Sequence, residues 1–149
     1  MPLKTCGFVS LAVAMLCSAA AASLGDNVAS VESDSRRMHA AVHVTHYAGY
    51  DVHELQYGAG AVVREYASPA GIVFGVAWQG PAMPDMKQVL GPYFAQFQQA
   101  AQARHARRGP LSVEEPGLVV RVSGHMRSFS GQAYVPQFMP HGIRGPDVR

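Results

Sequence analysis

Seven histidines carry the most conspicuous chemical potential of this sequence. His39, His43 and His46 are spaced by four and then three residues, so on a helix they would share one face and could hold a metal ion. The residues between them argue otherwise. Val42, Val44, Thr45 and Tyr47 favour an extended strand, on which His43 and His46 point to opposite sides. His53 and Glu54 add two more ligand types, again as neighbours that a strand would separate. A histidine-based metal centre would therefore draw on His43, His46, His53 and Glu54. Histidines on the surface of a sheet are the plainer reading, because neither H-E-x-x-H nor H-x-H occurs.

Other catalytic constellations are thinner still. Ser123, Ser128 and Ser130 lie close to His125, and Asp51 or Asp85 could complete a triad on paper. No G-x-S-x-G elbow is present to strain a serine outward, and serines beside Gly124 and Gly131 read as turn residues. Asp51, Glu54, Glu65 and Asp85 could supply paired carboxylates across a cleft, but Arg64-Glu65 reads as ordinary strand surface and Glu114-Glu115 as a solvated loop before Pro116. Arg104, His105, Arg107 and Arg108 form the one basic cluster, which the end of a helix explains without a ligand. No glycine-rich phosphate loop is present, and a net charge of +2 is too mild to argue for nucleic acid.

Trp78 is the single tryptophan and precedes Gln79-Gly80-Pro81. Core packing is its plain role. If the fold has a groove, this strand-to-helix junction is where it should open, with Trp78, Gln79, His125 and Arg127 as its lining.

These residues need elements to position them. After a segment with a helical apolar period over residues 28–40, the chain turns β-rich: AVHVTHY (41–47), YDVHELQY (50–57), AVVREYA (61–67) and IVFGVAWQ (72–79). Ala48-Gly49, the glycine turn at 58–60 and Ser68-Pro69-Ala70-Gly71 are short, so consecutive strands should run antiparallel as a meander. The fourth run is apolar on both faces, which predicts a central, covered strand. Met86, Val89, Leu90, Tyr93, Phe94 and Phe97 then recur at helical spacing. They predict a helix over 84–106, bent at Gly91-Pro92, with two abutting helices as the alternative. Two or three strands are expected over 117–123, 125–130 and 132–136, followed by a proline- and glycine-rich tail that reads as an extended arm or as disordered.

The N-terminus has the pattern of a secretory signal peptide. Lys4 supplies the positive charge, residues 6–17 are apolar, and the small residues 18–22 place a cleavage after Ala22. Cys6 and Cys17 are the two cysteines of the chain, so the exported form would have no thiol nucleophile, disulfide or cysteine-ligated metal. The apolar run is too short to span a bilayer, for which about 20 residues are needed, and no later segment qualifies. With 48% hydrophobic and 15% charged residues, the remainder suits one packed globular domain.

VHEL (52–55), VREYASPAGIVFGVAWQGP (63–81), PDMKQVLGPYF (84–94) and GHMRSFSGQAYVP (124–136) resemble the pattern of a family of small exported bacterial proteins known as domain of unknown function family 2844. The resemblance runs over about residues 24–140 and implies an exported proteobacterial protein. It brings no activity, cofactor or catalytic residue.

The expected architecture is α+β: an antiparallel β-meander sheet with one long amphipathic helix packed on it and a short N-terminal helix. Residues 1–22 would be the signal peptide, 23–140 a single domain and 141–149 a C-terminal tail. The expected role is an exported, periplasmic or secreted envelope protein that is not an enzyme and binds a partner protein or a small apolar ligand, with no cofactor and no nucleic acid. A histidine-based metal-binding protein and a small exported hydrolase are the alternatives.

Overall fold

The computed structural model describes residues 23–29, 31, 41–57, 60–103 and 110–149. The expected signal peptide, most of the expected N-terminal helix, His39 and the basic cluster at 104–108 lie outside these residues. Seven strands form one sheet: β1 (Ala41–Tyr47), β2 (Tyr50–Tyr57), β3 (Ala61–Ala67), β4 (Val73–Gly80), β5 (Leu111–Glu115), β6 (Leu118–His125) and β7 (Ser128–Tyr134). Their order is β1-β2-β3-β4-β7-β6-β5, and every neighbouring pair is antiparallel. The architecture is α+β.

Two meanders meet at the centre of this sheet. The first runs β1 to β4 through short turns, including Ala48-Gly49, where Gly49 takes a φ of 95° that a side chain would resist. The second enters at the opposite edge as β5 and folds back so that β7 pairs with β4. The connection between them is the helix, which crosses one face of the sheet. It begins as α1 (Met86–Leu90), passes through a 3-10 turn (Gly91–Tyr93) and continues as α2 (Phe94–Ala103). Gly91 caps α1 with φ 49°, and Pro92 follows in the turn, so the predicted bend lies at these two residues.

Two sequence expectations are corrected here. Glu114 and Glu115 are not a loop but the end of β5, which pairs with β6 at Val119 and Leu118. The runs at 125–130 and 132–136 are not separate strands either. His125 ends β6, Met126-Arg127 is the turn, and β7 continues unbroken through Gly131.

Because side chains alternate across a strand, each face has its own core. On the helix face, Val63, Val76, Trp78, Val113, Leu118 and Val120 pack beneath Val89, Leu90, Tyr93, Phe94 and Phe97. Leu24 joins this core. The segment around it is tied down by Leu24 N–H to Val89 O at 3.1 Å and by Gly25 N–H to Val73 O at 2.8 Å. On the other face, Val52, Tyr66, Phe74 and Ala77 pack against Met139, Ile143 and Val148. A bulge makes this second core. Tyr66 pairs with Gly75 but Ala67 pairs with Val73, so Phe74 is an extra residue that joins the Tyr66 cluster. The tail from Gln137 is thus a packed strap. Gly75 makes room for it, since a Cβ there would meet Val148 Cγ2 at 2.9 Å.

Candidate ligand pocket

The junction between β4 and α1 is built by its prolines and by one cap. The chain bends at Pro81-Ala82 after Gly80, Pro84 follows, and the Asp85 carboxylate accepts from Lys87 N–H at 2.9 Å to start the helix. The helix is thereby lifted off the sheet at its first turn. The space beneath is a cavity of about 290 Å3, walled by Val63, Val76, Trp78 and Val89, with Met83 and Pro84 at its mouth.

Trp78 forms one wall and is only 3% exposed. Its indole lies over β7 because residue 131 is glycine: a Cβ there would come within 2.6 Å of Trp78 Cε2. The indole N–H is buried and has no hydrogen-bond partner among the described residues. A buried donor left so costs about 1–3 kcal/mol.

Glu65 is the charged group of the inner wall. It is 5% exposed and faces His53, also buried, directly across the β2–β3 pair. The reading of Arg64-Glu65 as plain strand surface is corrected by this alternation: Arg64 points to the other face, where it pairs with Glu54 at 2.8 Å, and Glu65 points inward. With Asp85 at the rim, the pocket presents acidic groups and no basic one among its lining.

The four predicted lining residues divide. Trp78 and Gln79 line this pocket. His125 lines a neighbouring hollow with Leu111, Val122 and Phe129, which Met83 also borders. Arg127 stands in the hairpin turn beside the almost fully exposed Met126. Met83 was missed by sequence reasoning, and Glu65, weighed as a cleft carboxylate, was set aside as strand surface; the signal for its burial was its place on the inward phase of β3, between Val63 and Ala67.

The four predicted metal ligands do not form one site. His43 and Glu54 pair across β1 and β2 on the strap-covered face, whereas His46 and His53 fall on the helix face. His46 Nδ1 lies 2.7 Å from Asp51 Oδ1, both exposed. Among the described residues no three histidine, cysteine or carboxylate groups converge. Of the triad components, His125 and Ser128 face each other in the β6–β7 hairpin, whereas Asp51 pairs with His46 and Asp85 caps α1.

Residues 20–148 match the model of a family described as a protein of unknown function (DUF2844). The chain belongs to this family. The match takes in both meanders, the helix and the strap, so the pocket lies within the family's shared region. No curated protein and no solved structure matches the chain. No helix among the described residues is long and apolar enough to cross a membrane.

Proposed function

We propose that this DUF2844 protein is an exported envelope protein that is not an enzyme and holds a small apolar ligand between β3, β4 and the start of α1. The observation that carries the reading is the cavity itself. Valine side chains and one indole wall it, and among the described residues no nucleophile–base pair accompanies it. Glu65 and Asp85 disfavour an anionic ligand, and the valine walls favour an uncharged one, since a buried charge costs free energy unless paired. The leader-like residues 1–22 support export, with a mature chain starting at Ser23. A metal centre on His43, His46, His53 and Glu54 has no comparable support.

Trp78 provides the test, because its emission is the only tryptophan signal of the chain. The neutral dye N-phenyl-1-naphthylamine should quench it saturably with one-to-one stoichiometry. Val89→Phe, which fills the cavity, should abolish the quenching while thermal unfolding stays cooperative. Absence of saturable quenching, or equal quenching in Val89→Phe, overturns the reading. For export, the N-terminal residue of the protein recovered from the envelope fraction should be Ser23; an intact Met1 in the cytoplasm overturns it.

A further inference from the structure

A second depression lies on the opposite face of the sheet, and its chemistry differs. Tyr47 and Tyr50 are paired at the end of the β1–β2 hairpin, and their rings stack at 5.0 Å with an interplanar angle of 10°. Tyr66 continues the row, 6.1 Å from Tyr50. Phe74 meets Tyr50 edge-on at 6.2 Å and so fixes its orientation. The core around Val148 accounts for Tyr50, Tyr66 and Phe74 but not for Tyr47. Tyr47 is 53% exposed on the edge strand and held flat by its neighbour.

Polar groups surround this row. The depression, of about 250 Å3, has Glu54, Arg64, Asp147, Arg149, His43 and Thr45 on its walls. Several of these are already oriented. Arg64 Nε donates to Glu54 at 2.8 Å, Gln56 donates to the other Glu54 oxygen at 3.2 Å, and Asp147 accepts from Arg144 N–H at 2.7 Å. Both signs of charge are present side by side, so no single-sign field selects an ion. Planar carboxylates and guanidinium groups instead offer paired acceptors and donors at short spacing. The ligand that matches such an arrangement carries hydroxyls able to donate and accept together, and an apolar face that lies flat on an aromatic ring. That is a sugar ring. The size agrees, being below the range of about 300–1,000 Å3 typical of drug-sized ligands, which suits one or two sugar units.

We infer that the Tyr47–Tyr50 row, with Glu54, Arg64, Asp147 and Arg149 beside it, is a binding site for a neutral saccharide. The sugar stacks on Tyr47 and its hydroxyls bridge the carboxylate and guanidinium groups. This site is independent of the apolar pocket, from which the sheet separates it.

The test is titration of the protein with cellotriose, maltotriose and tri-N-acetylchitotriose, read by saturation-transfer difference and amide shifts. At least one trisaccharide should bind with a dissociation constant of about 1 mM or tighter, and shifts should centre on Tyr47, Glu54 and Asp147. Tyr47→Ala should weaken binding by at least about tenfold, as loss of a stacked aromatic anchor does. Tyr47→Phe, which keeps the ring, should retain most of it, and Val89→Phe should leave it unchanged. Tyr47 is too exposed for its replacement to unfold the chain. No response to any of the three sugars at about 10 mM, tenfold above that constant, overturns the inference. So does binding that Tyr47→Ala leaves intact.

Discussion

The Tyr66 hydroxyl clasps both backbone groups of Arg149: it accepts from Arg149 N–H at 3.0 Å and donates to the Arg149 carbonyl. One side chain of the sheet thus satisfies the strap over a separation of 83 residues. Burial pushes the Tyr66 hydroxyl above its ordinary pKa, with the contact to Arg149 opposing. Tyr66→Phe keeps the ring in the second core and removes only the clasp. It should cost about 1–3 kcal/mol in denaturant unfolding, since two hydrogen bonds go and Arg149 groups are left to find water. Amide exchange should quicken at Val148 and Arg149 while Val120 and Ala133 stay protected. Unchanged exchange at the strap would show that Val148 in the Gly75 socket suffices.

Gly131 and Trp78 form a second lock-and-space pair. Gly131→Ala should displace the indole and cost about 1–3 kcal/mol, the usual penalty of overpacking a close-fitted core. The added Cβ would also face the Arg121 carbonyl at 2.7 Å, so the backbone cannot simply yield. Trp78 emission should shift to the red as the ring leaves its buried place. An unshifted spectrum with unchanged stability would mean that the ring has room to slide.

Much of this architecture is legible in the sequence, and the failures have physical reasons. β1, β2 and β3 begin and end where the reading put them, because their alternation is bounded by short glycine turns. The helix is legible from Met86 to Phe97, and the bend from Gly91-Pro92. β5 was missed because LSVEE lies between prolines and only Val113 is fully buried, so its pairing rather than its composition makes it a strand. β7 was split at Gly131, since a glycine required for close approach looks, in sequence, like one required for a turn. The tail was misjudged for the same reason. Its prolines and glycines read as an arm, yet Val148 is fully buried. In the pocket, Trp78 and Gln79 were legible from their junction. Glu65 was not, because a buried carboxylate is rare enough that exposure is the default expectation.

Glu54 should make stability depend on acid. Hydrogen bonds from Gln56 and Arg64 hold its carboxyl below the ordinary glutamate pKa. A group whose folded pKa is depressed contributes stability above its unfolded pKa, and this is lost as pH falls through the folded value. Wild type should therefore lose stability more steeply than Glu54→Gln as pH drops below about 4.3, and the two should converge in strong acid. Urea unfolding at stepped pH measures this. A constant difference between the two proteins at every pH would show that the Arg64 contact holds the neutral side chain as well as the carboxylate.

Arg127, named in the expected lining of a groove, carries backbone strain. Its φ of 65° is the one left-handed value at a non-glycine residue among the described residues, and it closes the two-residue turn between His125 and Ser128. A side chain in that region costs about 1–2 kcal/mol, part of which glycine would recover after its larger entropy loss on folding. Arg127→Gly should accordingly raise stability by about 0.5–1 kcal/mol, seen as a later urea midpoint with an unchanged slope. The same variant should bind N-phenyl-1-naphthylamine as wild type does, because Arg127 stands at the hairpin tip and the β4–α1 pocket is walled by other residues. Weaker dye binding without a stability change would mean that the guanidinium reaches the ligand, and would bring Arg127 back into the site.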